Sequence, residues 1–222
     1  MSSPGSVRVA VSVVLLTLED GELRVVLKST QCGPHDNQLN LIGGVLRGEE
    51  QIDLELIVAK LLEKSVGTAD VFLEQLATLS GVTSNNEGRP TVQVCYIALM
   101  PESLFQAALQ HSPELKIFPV ESCPTLPDHG DSALAAAVTR LRGKGAWTVM
   151  PAYLLDREFT VAQLGAVYDA VVGTTAFGMN FRNKILRAKV LTPTGTKPTK
   201  GATRLSEHYS VRPGAFDLKF RL

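Results

Sequence analysis

The sequence predicts an α+β fold in two parts, residues 1–150 followed by residues 151–222. Strand-like apolar runs broken by helical patterns fill the front part, the mixture expected when helices cover a sheet. A capped helical pattern opens the rear part and is followed by a second, basic one. Charge also changes sign between the parts. Residues 1–151 hold 11 Lys+Arg against 17 Asp+Glu and residues 152–222 hold 11 against 5, so the net charge of zero is −6 cancelled by +6. A small basic part joined to an acidic one suggests that the basic part meets a polyanion.

At 222 residues the chain exceeds the ~100–200 residues usual for one domain, and either part can bury a core. The apolar run "VAVSVVLLTL" is far below the ~18–20 residues that cross a bilayer, and "MSSPGS" lacks a basic signal-peptide head. A soluble cytoplasmic protein with no membrane partner is expected. Cys32, Cys95 and Cys123 are odd in number and show no C-x-x-C spacing, so neither a disulfide framework nor a zinc site is predicted.

Val7 to Leu18 reads as a strand, "EDGE" as a turn around Asp20-Gly21, and Leu23 to Lys28 as the return strand of a hairpin. The loop Ser29 to Asn40 leads into Leu41-Ile42-Gly43-Gly44 and then a helix within Ile52 to Val66. Further strands are predicted at Val71 to Ser80 and at Thr91 to Met100, separated by the loop "GVTSNNEGRP". A third apolar piece, "LKIFPV", precedes a Pro-rich loop, after which Asp131 is placed to cap a helix ending at Gly143.

The pattern changes between Trp147 and Leu155, where the boundary is placed. Thr160 and Gln163 form an S/T-x-x-E/Q capping box, and Leu164, Val167, Tyr168 and Val171 follow helical spacing to Gly173. In "NFRNKILRAKVL" Asn180 is placed to cap and Phe181, Ile185 and Ala188 share a stripe, leaving Arg182, Asn183, Arg187 and Lys189 on the other side. Two short strands bridged by a basic tip then close the chain. Helix, turn, basic helix and hairpin are the linear pattern of a winged helix-turn-helix.

That pattern suits duplex DNA, whose major groove admits a helix while flanking cations neutralise phosphates. Arg182, Asn183, Lys184 and Arg187 are the candidates on the recognition helix, and Lys197, Lys200 and Arg204 those on the wing. No nucleophile constellation or phosphate loop stands out, and the four histidines are scattered. "PDHGD" places Asp128 and His129 in a loop, where a ligand contact and a helix cap are both open.

Gly43-Gly44 and the following helix resemble the Nudix fold, whose box reads G-x5-E-x7-R-E-U-x-E-E-x-G-U with U aliphatic. The whole chain is similar to the Nudix-related transcriptional regulators of NAD metabolism, the NrtR family. The matching pieces include "VAVSVVLLTLEDGELRVVL", "AKLLEKSV", "VQVCYIALMP", "PDHGD", "RLRGK" and "FTVAQLGAVYDAVVG" followed by "NFRNKIL". The resemblance implies a Nudix-like α/β/α sandwich with a mixed sheet in residues 1–150 and a winged helix in residues 151–222. It also implies a homodimeric repressor of NAD-biosynthesis or salvage genes that leaves its operator when ADP-ribose or a related nucleotide fills the Nudix pocket.

Active Nudix hydrolases hold Mg²⁺ on helix carboxylates at i, i+3 and i+4. With Leu61 as the aliphatic box residue those positions are Lys60, Glu63 and Lys64, and the box Arg is Ala59. A shift by one places Ala59, Leu62 and Glu63 there. Neither register restores three carboxylates, so a catalytically inactive domain with no cofactor or metal is expected. Where the family carries Trp-x-Leu-Pro-Gly-Gly this chain reads Leu39-Asn40-Leu41-Ile42-Gly43-Gly44, and Thr30 stands for an Arg at the end of the second strand. Arg47, Arg89 and Phe118, with Asp128 and His129, are the expected ligand contacts. The second reading is a Nudix hydrolase of a nucleoside diphosphate derivative, supplied by Glu49, Glu50, Asp53, Glu55 and Glu63. A third is an interaction module with neither activity.

Overall fold

The computed structural model describes residues 7–29, 38–46, 53–82, 90–173, 180–198 and 205–220. The chain divides into two compact units. The first comprises Met1–Thr17, Arg24–Met100 and Leu104–Val138, and the second Leu18–Leu23, Pro101–Ser103 and Thr139–Leu222. Among the described residues no helix is long and apolar enough to cross a membrane.

Strands β1 (Arg8–Glu19) and β2 (Glu22–Ser29) form the expected hairpin. Asp20 and Gly21 both take positive φ, 52° and 75°, as a two-residue type I′ turn demands. Beyond them come β3 (Leu39–Asn40), β4 (Ile42–Val45), β5 (Phe72–Val82), β6 (Pro90–Leu99) and β7 (Leu115–Pro119). Among the described residues these make one seven-stranded sheet of order β3-β2-β1-β6-β5, with β4 on β1 and β7 on β2. β1 runs parallel to β6 and antiparallel to β4, so the sheet is mixed, as expected. Val11 to Thr17 are buried without a break, the mark of a strand covered on both faces.

Helix α1 (Leu54–Val66) starts where the Asp53 side chain accepts the Leu56 N–H at 3.1 Å and stops at Gly67, whose φ of 78° needs a glycine. Its Val58, Leu62 and Val66 stripe packs against Val13, Leu15, Tyr96 and Phe105 in the core of the first unit. Helix α2 (Glu102–His111), which contributes Phe105 and Ala108, has no counterpart among the expected elements. Its apolar spacing at 105 and 108 is too short a signal to separate it from the flanking runs. Helix α3 (Gly130–Gly145) is present, but Asp131 lies inside it and not at its cap. The Asp131 carboxylate instead accepts the Leu126 N–H at 2.9 Å, which closes the loop before the helix.

The second unit contains a 3-10 segment at Met150–Leu154, helices α4 (Val161–Val172) and α5 (Phe181–Arg187), and the hairpin β8 (Leu191–Pro198) and β9 (Leu205–Val211). The Thr160–Gln163 capping box forms with both of its reciprocal bonds. Asn180 does not cap α5: its φ/ψ of −95°/−2° is helical, and its side chain makes no cap bond. Tyr168 of α4 meets Phe181 of α5 at 5.2 Å between ring centroids, tilted by 56°, and donates its hydroxyl to the Thr148 carbonyl at 2.7 Å. Phe159, just ahead of α4, bridges antiparallel to Tyr209 of β9 through two backbone hydrogen bonds of 2.9 and 2.8 Å. Helix, helix and hairpin share one core around Phe159, Leu164, Tyr168, Ile185 and Tyr209.

Candidate functional site

The first unit holds a cavity of about 560 Å³ between the Gly43-Gly44 segment, β1 and the last turns of α1. Gly43 is required by sterics: a Cβ there would stand 2.6 Å from the Val11 carbonyl oxygen. α1 turns Leu61, Lys64 and Ser65 toward the cavity, an i, i+3, i+4 set.

This corrects the expected box register. Leu62, and not Leu61, is sunk in the core at 1% exposure, so Leu62 takes the aliphatic position and Gly67 the box glycine. The three positions that carry carboxylates in active relatives then fall on Leu61, Lys64 and Ser65, and the box Arg on Lys60. Glu63 is exposed and does not line the cavity. The opposite shift fails as well, since it would make buried Leu62 a metal ligand. The charge of the face remains +1, but its last carboxylate is gone.

Polar groups on the sheet complete the wall. Gln93 of β6 donates its side-chain N–H to the Ser12 hydroxyl of β1 at 2.8 Å, and Ser12 donates to the Cys95 sulfur at 3.4 Å. Burial pushes the Cys95 thiol pKa up, so it stays a neutral acceptor. At the rim Lys28 pairs with Glu114 at 3.3 Å. The Glu114 carboxyl is held below its ordinary value, first by a backbone hydrogen bond within its own residue and then by Lys28. Ser12 interrupts the apolar run Val9 to Leu16 of β1, which is the one signal that the sequence offers for it. Nothing in sequence order joins it to Gln93, 81 positions away.

Of the expected ligand contacts, Asp128 lines the cavity. Phe118 stands on β7 opposite Val25 of β2 and is not part of the lining. His129 packs on Gly81, where a Cβ would come within 3.1 Å of its ring, and its buried Nε2 makes no hydrogen bond among the described residues. Arg47, Arg89 and Thr30 lie outside the described residues, as do Glu49 and Glu50. Asp53 is committed to the α1 cap. Asn40 and Leu41 line the cavity, whereas Ile42, at the position of the family's proline, is buried at 1% exposure.

In the second unit α5 buries Phe181 and Ile185 and exposes Arg182, Asn183, Lys184 and Arg187. Arg182 approaches Glu207 of β9 at 3.6 Å, and Glu207 also accepts the Tyr209 hydroxyl at 2.5 Å. Lys197 of β8 pairs with Glu158, whose carboxyl it holds below the usual range. Lys200 and Arg204 lie outside the described residues. The basic face of α5 therefore stands open, with one of its arginines tethered to an acid on the hairpin.

Residues 151–211 match the NrtR DNA-binding winged helix domain. The chain is 25% identical over 213 residues to the ADPR responsive transcriptional repressor NtrR of Acinetobacter baylyi, covering 95% of this chain and 84% of that protein. It superposes on the crystal structure of Shewanella oneidensis NrtR complexed with a 27mer DNA with a TM-score of 0.84 at 26% identity, covering 96% of this chain and 97% of that one. Residues 151–211 thus form an NrtR winged helix domain, and the chain as a whole is similar to the NrtR regulators. Another NrtR structure, the NUDIX domain of the Shewanella oneidensis protein complexed with ADP ribose, matches with a TM-score of 0.51 at 26% identity over 63% of this chain and 94% of that one. The fold is thus Nudix-like with a C-terminal NrtR winged helix, as the resemblance implied.

Proposed function

We propose that the chain is a DNA-binding transcriptional regulator, a repressor of NAD-biosynthesis or salvage genes, that senses ADP-ribose or a related nucleotide. Residues 151–222 bind the operator and residues 1–150 hold the effector in the cavity beside α1, with Asp128 among its contacts. The working form is a homodimer, whose two winged helices meet two half-sites. Effector binding lowers operator affinity because the ligand prefers the state that does not match those half-sites. The Nudix-like unit is silent as a diphosphatase. The observation that carries this reading is the pairing, in one chain similar to the NrtR regulators, of an exposed basic α5 with a cavity whose metal-binding helix positions hold Leu61, Lys64 and Ser65.

A mobility-shift titration with the chain's own promoter duplex tests it. Binding is expected to weaken steeply as salt rises, since each neutralised phosphate releases about one counterion, and to weaken again on adding ADP-ribose. Absence of salt-sensitive binding defeats the reading, and Mg²⁺-dependent release of AMP from ADP-ribose would replace it with the hydrolase. In the same assay Glu207→Gln is expected to tighten duplex binding by up to about fivefold. It frees Arg182 from an exposed pair worth ~0.2–1 kcal/mol and removes a negative charge beside the phosphates. Weaker binding would show instead that Glu207 positions Arg182 for DNA, and unchanged binding that the pair does not compete with the duplex.

A further inference from the structure

The carboxylate face of a Nudix helix exists to bind a divalent cation, and this cavity does not suit one. Mg²⁺ asks for several hard oxygen ligands, usually with one or two carboxylates. Leu61 offers no donor, Ser65 offers a neutral hydroxyl, and Lys64 offers a positive charge. The carboxylates that do reach the lining, Glu114 and Asp128, are on other elements, and Glu114 is paired with Lys28. Among the described residues no three His, Cys, Asp or Glu side chains are grouped to hold a metal ion.

The end of α1 makes the need for a cation sharper. The helix ends at Val66, so the cavity sees its last turn, where unsatisfied carbonyls sum to roughly half a negative charge. That field repels a phosphate unless a cation stands in front of it. Lys64 lies in this turn and in the cavity lining, and makes no ion pair among the described residues. A full positive charge outweighs the half charge of the helix end and leaves the face attractive to anions.

We infer that Lys64 takes the place of the divalent cation, so that the cavity holds the phosphate or diphosphate group of its ligand directly on an ammonium group and without metal. This deepens the nucleotide-sensor reading, on which it rests for the choice of the first probe. Lys60 supplies the internal control: it is a like charge one turn earlier on the same helix, exposed and outside the cavity lining.

Calorimetric titration of the full chain with ADP-ribose, in EDTA and in Mg²⁺, tests it. The expected affinity is the same in both buffers, to within about twofold. Lys64→Ala is expected to weaken binding by about tenfold or more in EDTA, as for loss of one charge-assisted hydrogen bond, while Lys64→Arg and Lys60→Ala leave it near the parent value. A requirement for Mg²⁺ in the parent chain, or equal losses from Lys64→Ala and Lys60→Ala, overturns the inference. Inorganic pyrophosphate separates this outcome from failure of the sensor reading. If ADP-ribose does not bind but pyrophosphate binds in EDTA and loses affinity with Lys64→Ala, the anion site stands and the effector is another compound. If neither anion binds without metal, the inference is wrong.

Discussion

Tyr168→Ala is expected to destabilise the chain by about 3–5 kcal/mol, the range for removing a large buried aromatic ring. Tyr168 is fully buried, stacks obliquely on Phe181, and fills the space between α4 and α5. Its loss opens a cavity under the basic helix, so salt-sensitive DNA binding should disappear at temperatures where the parent chain retains it. Thermal unfolding followed by circular dichroism reads the stability, and a variant melting within about a degree of the parent would refute this account of the core.

Tyr168→Phe separates the ring from the hydroxyl. It should cost only about 1 kcal/mol or somewhat more, because the Thr148 carbonyl then loses its partner. The same variant has a signature in pH. Burial pushes the Tyr168 phenol well above its ordinary value, so the folded chain keeps the proton while the unfolded chain ionises near pH 10. This contribution is intact below about pH 10 and is lost as pH rises beyond it, by ~1.4 kcal/mol per pH unit for one proton. The Phe variant should show a correspondingly shallower alkaline loss of stability.

The second large effect concerns two adjacent leucines. Leu62→Ala is expected to cost about 2–5 kcal/mol, since Leu62 is buried among Val58, Val66 and the sheet. Leu61→Ala should cost less than about 1.5 kcal/mol, because that side chain is only partly buried and faces the cavity. Denaturant titration of the pair therefore reads the orientation of α1. Equal costs, or a larger cost at Leu61, would mean that the helix is turned and that Lys64 does not face the ligand.

Much of the architecture was legible because its signals are local. The Asp20-Gly21 turn, the alternation in β6 and the Thr160–Gln163 box each depend on neighbours a few residues apart. Asn180 shows the limit of such signals: a capping residue type was present, but the backbone arrives already helical and leaves the side chain without that role. The α1 register was harder. Both Leu61 and Leu62 are apolar, and the stretch from Gly44 to Lys60 is two residues longer than the box's G-x5-E-x7-R spacing, so counting from the glycines gives the wrong turn. The sequence did contain the answer in a comparison of stripes: Val58, Leu62 and Val66 stay apolar, whereas Ile57 and Leu61 lead to Ser65. The cavity itself was largely out of reach. Ser12 with Gln93, and Lys28 with Glu114, are brought together only by strand pairing and loop closure over long separations.

The bridge between Phe159 and Tyr209 has a mechanical consequence. A two-stranded hairpin alone is marginally stable in water. Here the residue leading into α4 serves as a third strand, stitched to β9 by two backbone hydrogen bonds. The wing and the helix that backs α5 are thereby one stiff tool. Any movement of β9 away from the start of α4 would first have to break those two bonds.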